Sequence, residues 1–291
     1  MIAGHPVASD VVVGPDFIGL GAQRAGTSWL YACLYDHPEV HVPTKEIHFF
    51  SRARHWSRGY DWYDEQFADC PPGAIAGELS TSYLADPRTP ARIRVRYPDA
   101  KLVVSLRHPV ERAYSSYLND TMAGVVRPGT SFADALRAHP EYVGHGRYFT
   151  QLARYLALFP RPQLLVLVIE DAAADPVAFV QRVFRFLDVD DRFVPSMVAA
   201  RVNEGRVPYS SALDRTLART SDVTRRLGLG RVWWAAKKAG LGVFARRLNT
   251  RREKDAADVP PDLRRDILHT LAPEIDALAG FLRRDLAEWR T

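Results

Sequence analysis

The sequence predicts an α/β protein, a three-layer α/β/α sandwich around a mostly parallel sheet. Three observations carry that reading. Residues 17–20, Lys101–Leu106 and residues 163–169 are short, mainly apolar runs of the kind buried on both faces of a parallel sheet. Between them lie segments with apolar residues at helical spacing, such as Val177, Val180, Val183, Phe184 and Leu187. The chain has 291 residues, 47% of them hydrophobic, enough for one large α/β domain or one domain plus an appendage.

In chain order, the first strand covers residues 17–20 and breaks at Gly21-Ala-Gln-Arg-Ala-Gly26. A helix follows from Thr27, its first turn carrying the hydroxyls of Thr27 and Ser28. Residues 37–43 hold two prolines and read as a connection. Thr44-Lys-Glu-Ile-His-Phe-Phe50 then places a cation, a carboxylate and an imidazole ahead of two large apolar anchors; alone, it would read as a solvated turn pinned by Phe49 and Phe50. Residues 59–67 form a short aromatic helix. Residues 74–80 read as a strand with a serine-rich loop after it, and residues 87–97 as a helix with Pro90 near its start.

The strand Lys101–Leu106 stops at Arg107, and Pro109 suits the first turn of the next helix, which carries Ser115. Residues 131–138 and 149–159 are expected helices, with Gly144-His-Gly-Arg-Tyr148 leading into the second. Residues 163–169 are a strand, and Glu170-Asp-Ala-Ala-Ala-Asp-Pro176 opens a helix running to Leu187. Residues 211–255 are rich in Arg and Lys, with Trp233, Trp234 and Phe244 among them; they read as helices with aromatics inward or as a basic surface for an acidic partner or membrane. Residues 260–289 read as a closing helical hairpin.

The stretch around Gly21 carries the chemistry. A strand, a glycine-bearing turn and a helix N-terminus make an anion site, because the dipole adds about half a positive charge there. The spacing Gly21-x-x-x-x-Gly26 is that of a nucleotide P-loop, but Thr27 stands where an NTPase has lysine, and the cation has moved to Arg24. Arg107 closes a parallel strand, the place where such sheets bind ligands. An NTPase tends to hold its metal there with an aspartate; an arginine implies direct contact with a phosphate. The alternative for Arg107 is an ion pair with Glu111.

The totals bound the partners. A net charge of +5 suits an anionic ligand without naming it. Cys33 and Cys70 are the two cysteines, too few for a disulfide framework or zinc site. The first residues lack the basic head and apolar run of a signal peptide, and no stretch reaches the apolar length of a membrane span. The expectation is a cytoplasmic protein with no nucleic-acid partner, in which residues 211–257 are open to peripheral membrane contact.

Together these landmarks resemble the sulfotransferases that use 3′-phosphoadenosine 5′-phosphosulfate (PAPS), especially the Golgi heparan-sulfate type and its bacterial relatives, over about residues 16–208. Gly21 to Ser28 is similar to their 5′-phosphosulfate loop, Val103 to Tyr117 to their 3′-phosphate element, and Lys45-Glu-Ile-His-Phe-Phe50 to the Glu-x-His-Phe-Phe stretch of the glycan 3-O-sulfotransferases. Gly146-Arg-Tyr148, Phe159-Pro160, Glu170-Asp…Asp175-Pro176 and Gly205-Arg206 fall in the family's order. Three features depart from it: Arg24 stands where lysine is usual, Leu79 where the glycan enzymes often have lysine, and no cysteine follows Cys70 to make the Golgi enzymes' disulfide.

The resemblance implies a P-loop nucleotide-binding type of fold with a helical C-terminal extension. One domain would span residues 1–291, its core about 14–208 and residues 209–291 a basic, helical segment packed on it. It also implies a metal-independent enzyme moving a sulfuryl group from PAPS to a hydroxyl of a small-molecule, lipid or glycan acceptor. Gln23, Arg24, Ala25, Gly26, Thr27 and Ser28 would bind the 5′-phosphosulfate; Arg107 and Ser115 would bind the 3′-phosphate, with Arg206 closing from a late loop. Arg24 would stabilise the leaving phosphate. Glu46 would be the general base, with Lys45 and His48 orienting it, and His48 is the rival base. Two competing classes remain: an ATP-dependent P-loop kinase, which requires Mg and a metal carboxylate near Arg107, and a non-catalytic nucleotide- or membrane-binding module.

Overall fold

The computed structural model describes residues 14–199 and 259–291 in full, and residues 206–208 and 250–252 as backbone. The basic stretch with Trp233, Trp234 and Phe244 lies outside the described residues. Five parallel strands, β1 (Phe17–Gly21), β2 (Val40–His41), β3 (Ile75–Leu79), β4 (Lys101–Leu106) and β5 (Leu164–Val168), form one sheet in the order β2-β3-β1-β4-β5. The expected α/β/α sandwich is therefore present. β1 lies between β3 and β4, so the chain passes to opposite sides of β1 on leaving it. Their carboxyl ends make the topological switch point where open parallel sheets bind ligands.

Period-two alternation explains the two buried faces. Ile18, Leu20, Leu102, Val104 and Leu106 point into one core layer, and Phe17, Val103 and Leu167 into the other. The second layer is closed by α1 (Thr27–Asp36) and by the helix Pro176–Leu187, whose Phe179, Val180, Val183, Phe184 and Leu187 are buried as their spacing predicts. The first is closed by α2 (Ala53–Trp56), α3 (Gly59–Asp64), α4 (Thr89–Arg96), α5 (Pro109–Met122), α6 (Phe132–Ala138), α7 (Glu141–Gly144) and α8 (Tyr148–Leu156), while the short α9 (Asp171–Ala174) leads into α10, the helix Pro176–Leu187 of the second layer. Phe49 and Phe50, fully buried, anchor an aromatic cluster in which Phe49 stacks on Tyr63 at 4.6 Å and meets Trp56 and Tyr60. Phe49, Phe50 and Tyr63 are core, and Trp56 and Tyr60 lie partly buried against them.

Close approach of β1 and β3 rests on Gly77. A Cβ at this position would overlap the buried Phe17 ring. Gly77→Ala should therefore destabilise the fold by about 1–3 kcal/mol, read as a lower midpoint in urea with unchanged slope.

Two readings need correction. The connection at residues 37–43 contains β2, an edge strand pairing Val40 with Ile75 and His41 with Ala76; two residues are too few to show a period. The C-terminal hairpin is instead one helix, α11 (Pro261–Leu282), followed by a 3₁₀ turn, Ala287–Arg290. Pro273 removes one backbone hydrogen bond inside α11, but Leu271, Ile275 and Leu278 are buried on either side of it and carry the helix through. The helix ends at Arg283, left-handed at φ 51°, and the chain then seats Trp289, fully buried, against the rings of His108 and Tyr148. Among the described residues no helix is long and apolar enough to cross a membrane.

Candidate active site

The loop after β1 enters α1 through Gly26, whose φ of 77° is left-handed; no side chain caps the helix and its first turn has no acidic residue. Trp29 N–H turns back to Gly26 O at 3.0 Å, while the N–H groups ahead of it lie before the first intrahelical bonds, so this end is suited to an external anion. Ser105 of β4 ties the loop down from below: its carbonyl accepts from Ala22 N–H at 2.7 Å and its Oγ donates to Ala25 O at 2.7 Å. Arg24 sits at φ 67°, a conformation costly for a residue with a Cβ. That backbone position directs its Nε to Ser115 Oγ on α5, at 2.7 Å.

Arg107 leaves the end of β4 beside them. One guanidinium nitrogen is 3.4 Å from the carbonyl of Arg24, and another is 4.0 Å from Glu111 Oε2. Tyr148 holds its backbone by donating to Arg107 O at 2.8 Å. The ion pair with Glu111 that the sequence allowed is thus at its outer limit, and Glu111 Oε1 is held instead by Arg264 of α11 at 2.9 Å. Arg24, Ser115 and Arg107, 91 residues apart at most, meet at one end of the sheet.

The Lys45–Phe50 stretch faces this loop. Lys45 Nζ donates to Ser28 Oγ at 2.7 Å and lies 3.2 Å from Glu46 Oε1, so one ammonium joins the anion loop to the carboxylate. Glu46 Oε2 is 2.9 Å from His48 Nε2, which must donate, and His48 Nδ1 is 2.6 Å from Ser82 Oγ. Glu46 (φ 63°) and His48 (φ 55°) are both left-handed. Glu46 N–H donates to Leu79 O and His48 N–H to Ser80 Oγ at 2.8 Å; Ser80 in turn donates to Glu78 Oε2 at 2.6 Å. Glu78 is fully buried in β3 and accepts two further bonds, from Tyr63 and Tyr83, on Oε1. Burial pushes the Glu78 carboxyl up, and the hydroxyls of Ser80, Tyr83 and Tyr63 work against that.

Three strained backbones at one site are therefore held by a fixed hydrogen-bond frame. Glu78, Ser80 and Ser82 escaped the sequence reading. A carboxylate inside an otherwise small and apolar strand was the available signal for Glu78; nothing marks two loop serines.

Glu46 keeps its charge. Partial burial pushes its carboxyl up, but the His48 hydrogen bond and the Lys45 charge outweigh this and hold it down to about 2. A carboxylate depressed in this way contributes stability that is full above its unfolded value and lost as pH falls toward 2. Glu46 should therefore impose no acid limb on kcat/KM between about pH 4 and 6. Lys45→Met, which removes one of its two holds, should move its titration upward, checked by carboxyl-carbon NMR.

A cleft of about 600 Å³ opens beside the Glu46–His48 pair, with Gln23, Glu46, His48 and Ser82 on its wall and the cations Arg52 and Arg88 around it. Gln23 and Ser28 are exposed, Thr27 and Ala25 buried. Of the expected donor-side residues, Arg206 is described as a backbone position only, the first residue of a short strand (Arg206–Pro208) antiparallel to Thr250–Arg252; its side-chain role lies outside the described residues.

A sequence model of the family described as "Sulfotransferase domain" matches residues 14–204, and the chain belongs to that family. It is 32% identical over 183 residues to heparan sulfate glucosamine 3-O-sulfotransferase 3B1 of Mus musculus, covering 60% of this chain and 46% of that protein. It is 30% identical over 196 residues to the human bifunctional heparan sulfate N-deacetylase/N-sulfotransferase 3, covering 60% of this chain and 22% of that one. The chain thus spans about half the length, or less, of the curated relatives it matches. Among solved structures, a sulfotransferase from Alicyclobacillus acidocaldarius superposes with a TM-score of 0.67 at 27% identity, covering 96% of this chain and all of that one.

Proposed function

We propose that this protein is an O-sulfotransferase that takes the sulfuryl group of PAPS to an acceptor hydroxyl. One observation carries the reading: Lys45 bonds at once to Ser28 of the anion loop and to Glu46, so one ammonium joins a phosphate-binding end to a carboxylate base. The residues fit the donor. Uncapped first-turn N–H groups of α1, Arg24 and Ser28 suit a 5′-phosphosulfate, and Arg107 with Ser115 suits a second phosphate on the same ribose. PAPS supplies the activated sulfuryl group.

The chain's own groups do the rest by position and charge. Arg24 neutralises charge gathering on the leaving phosphate oxygen. Glu46 accepts the acceptor's hydroxyl proton. Its low basicity is tolerable because a loose transition state makes the attacking oxygen strongly acidic only once the new S–O bond is advanced. The structure's contacts favour Glu46 over His48: both imidazole nitrogens are engaged and the ring is buried, whereas Glu46 is partly exposed to the cleft. His48 and Lys45 therefore orient the base.

The cleft is of the size that takes small ligands. Its rim cations and the heparan-sulfate names of the relatives support a sugar or polyol hydroxyl, with small-molecule and lipid acceptors in the same chemical class.

Calorimetric titration tests the donor assignment. 3′-Phosphoadenosine 5′-phosphate (PAP) should bind without Mg and ATP should not displace it; Mg-dependent ATP binding without PAP binding would overturn it in favour of a kinase. Arg107→Ala should weaken PAP roughly tenfold or more, the loss of a charge-assisted phosphate contact. It should leave adenosine 5′-phosphate nearly unchanged in the same titration.

A further inference from the structure

Arg107 is useful to a phosphate only if its charge is not already cancelled, and its nearest carboxylate is one helical turn away. Glu111 stands four residues on, at the spacing where an arginine and a glutamate pair on a helix surface. Yet the pair is stretched to 4.0 Å, because the other oxygen of Glu111 is bound by Arg264 at 2.9 Å. Arg264 is itself located by a second bond, to the carbonyl of Thr291 at 3.2 Å. It belongs to α11, which packs on α5 and α8 and lies beyond residues 14–204 that the family model matches.

We propose that Arg264 is a positioning residue for the donor site: it draws Glu111 aside and so keeps the Arg107 guanidinium available for the 3′-phosphate. The inference rests on the reading of Arg107 as a 3′-phosphate ligand. All three side chains are about a quarter exposed, so their interactions are partly screened and modest in size. In the absence of Arg264, Glu111 is free to turn fully onto Arg107, and a nucleotide phosphate must then displace a carboxylate before it binds. α11 thereby reaches into cofactor affinity without touching the cofactor.

A double-mutant cycle on the full chain, read by calorimetry at low ionic strength, tests this. Arg264→Gln should weaken PAP about three- to fivefold, a shift of the size such pairs produce. It should leave adenosine 5′-phosphate, which has no 3′-phosphate, unchanged. Glu111→Gln should bind PAP as well as the wild type or better. The double variant should bind like Glu111→Gln alone, since with no carboxylate present there is nothing to draw aside. Arg264→Lys should recover part of the loss. In turnover, Arg264→Gln should raise the donor KM and leave kcat at saturating donor unchanged, a split that a general loss of structure does not produce.

A double variant as weak as Arg264→Gln, or an Arg264→Gln protein indistinguishable from the wild type, overturns the inference. Arg107→Ala is the reference. If it binds PAP normally, the assignment of Arg107 falls and this inference with it; if it loses PAP while Arg264→Gln does not, this inference alone falls.

Discussion

Glu46→Gln is expected to lower kcat by about 10²–10⁴-fold, the usual contribution of a positioned general base. PAP affinity should stay near the wild-type value, because the Glu46 carboxyl reaches the anion loop only through Lys45, whose own bond to Ser28 does not need it. The substitution is nearly isosteric, and the backbone bonds that hold the left-handed Glu46 and His48, to Leu79 and Ser80, do not involve the side chain being changed. A glutamine can still accept from His48 Nε2, so the frame should survive while the basic oxygen is lost. Single-turnover sulfuryl transfer alongside PAP calorimetry separates the two effects. A variant that keeps near wild-type turnover would show that Glu46 does not accept the proton.

The second large effect is expected at Arg24. Arg24→Ala should lower kcat by about 10²–10³-fold, the scale seen when one donor to a developing anion is removed. It should weaken PAP as well, since the 5′-phosphate remains in the product. Arginine cannot give up its proton near neutral pH, so its contribution is charge and geometry rather than acid catalysis. Arg24→Lys keeps the charge and should recover part of the rate. Steady-state kcat and PAP affinity for the three forms check this, and an unchanged rate in Arg24→Ala would remove Arg24 from the mechanism.

How much of this was legible beforehand follows from the range of each signal. β1, β4 and β5 are short, largely apolar runs, and their buried parallel character needs no partner to be recognised. β2 has two residues and exists only by pairing with β3, so it carries no local pattern. α11 was read as two helices because the pattern does not show how the helix continues past Pro273; packing on both sides of the proline decides that. In the site, Arg24, Lys45, Glu46, His48, Arg107 and Ser115 were legible because each stands in an ordered motif at a strand end or helix start. Glu78, Ser80 and Ser82 act through contacts to the 46–51 stretch some thirty residues earlier, and Arg264 reaches Glu111 across 153 positions. Those relations are created by folding, and no sequence spacing announces them. The role expected of Arg206 lies outside the described side chains.

The most direct test is a crystal structure of the protein grown with PAP. The 5′-phosphate should lie on the first turn of α1 with Arg24, the 3′-phosphate on Arg107 and Ser115, and Glu46 should face the 5′ end across the open cleft. Nucleotide bound elsewhere, or bound in this cleft with its 3′-phosphate turned away from Arg107 and its 5′ end remote from Glu46, would contradict the account.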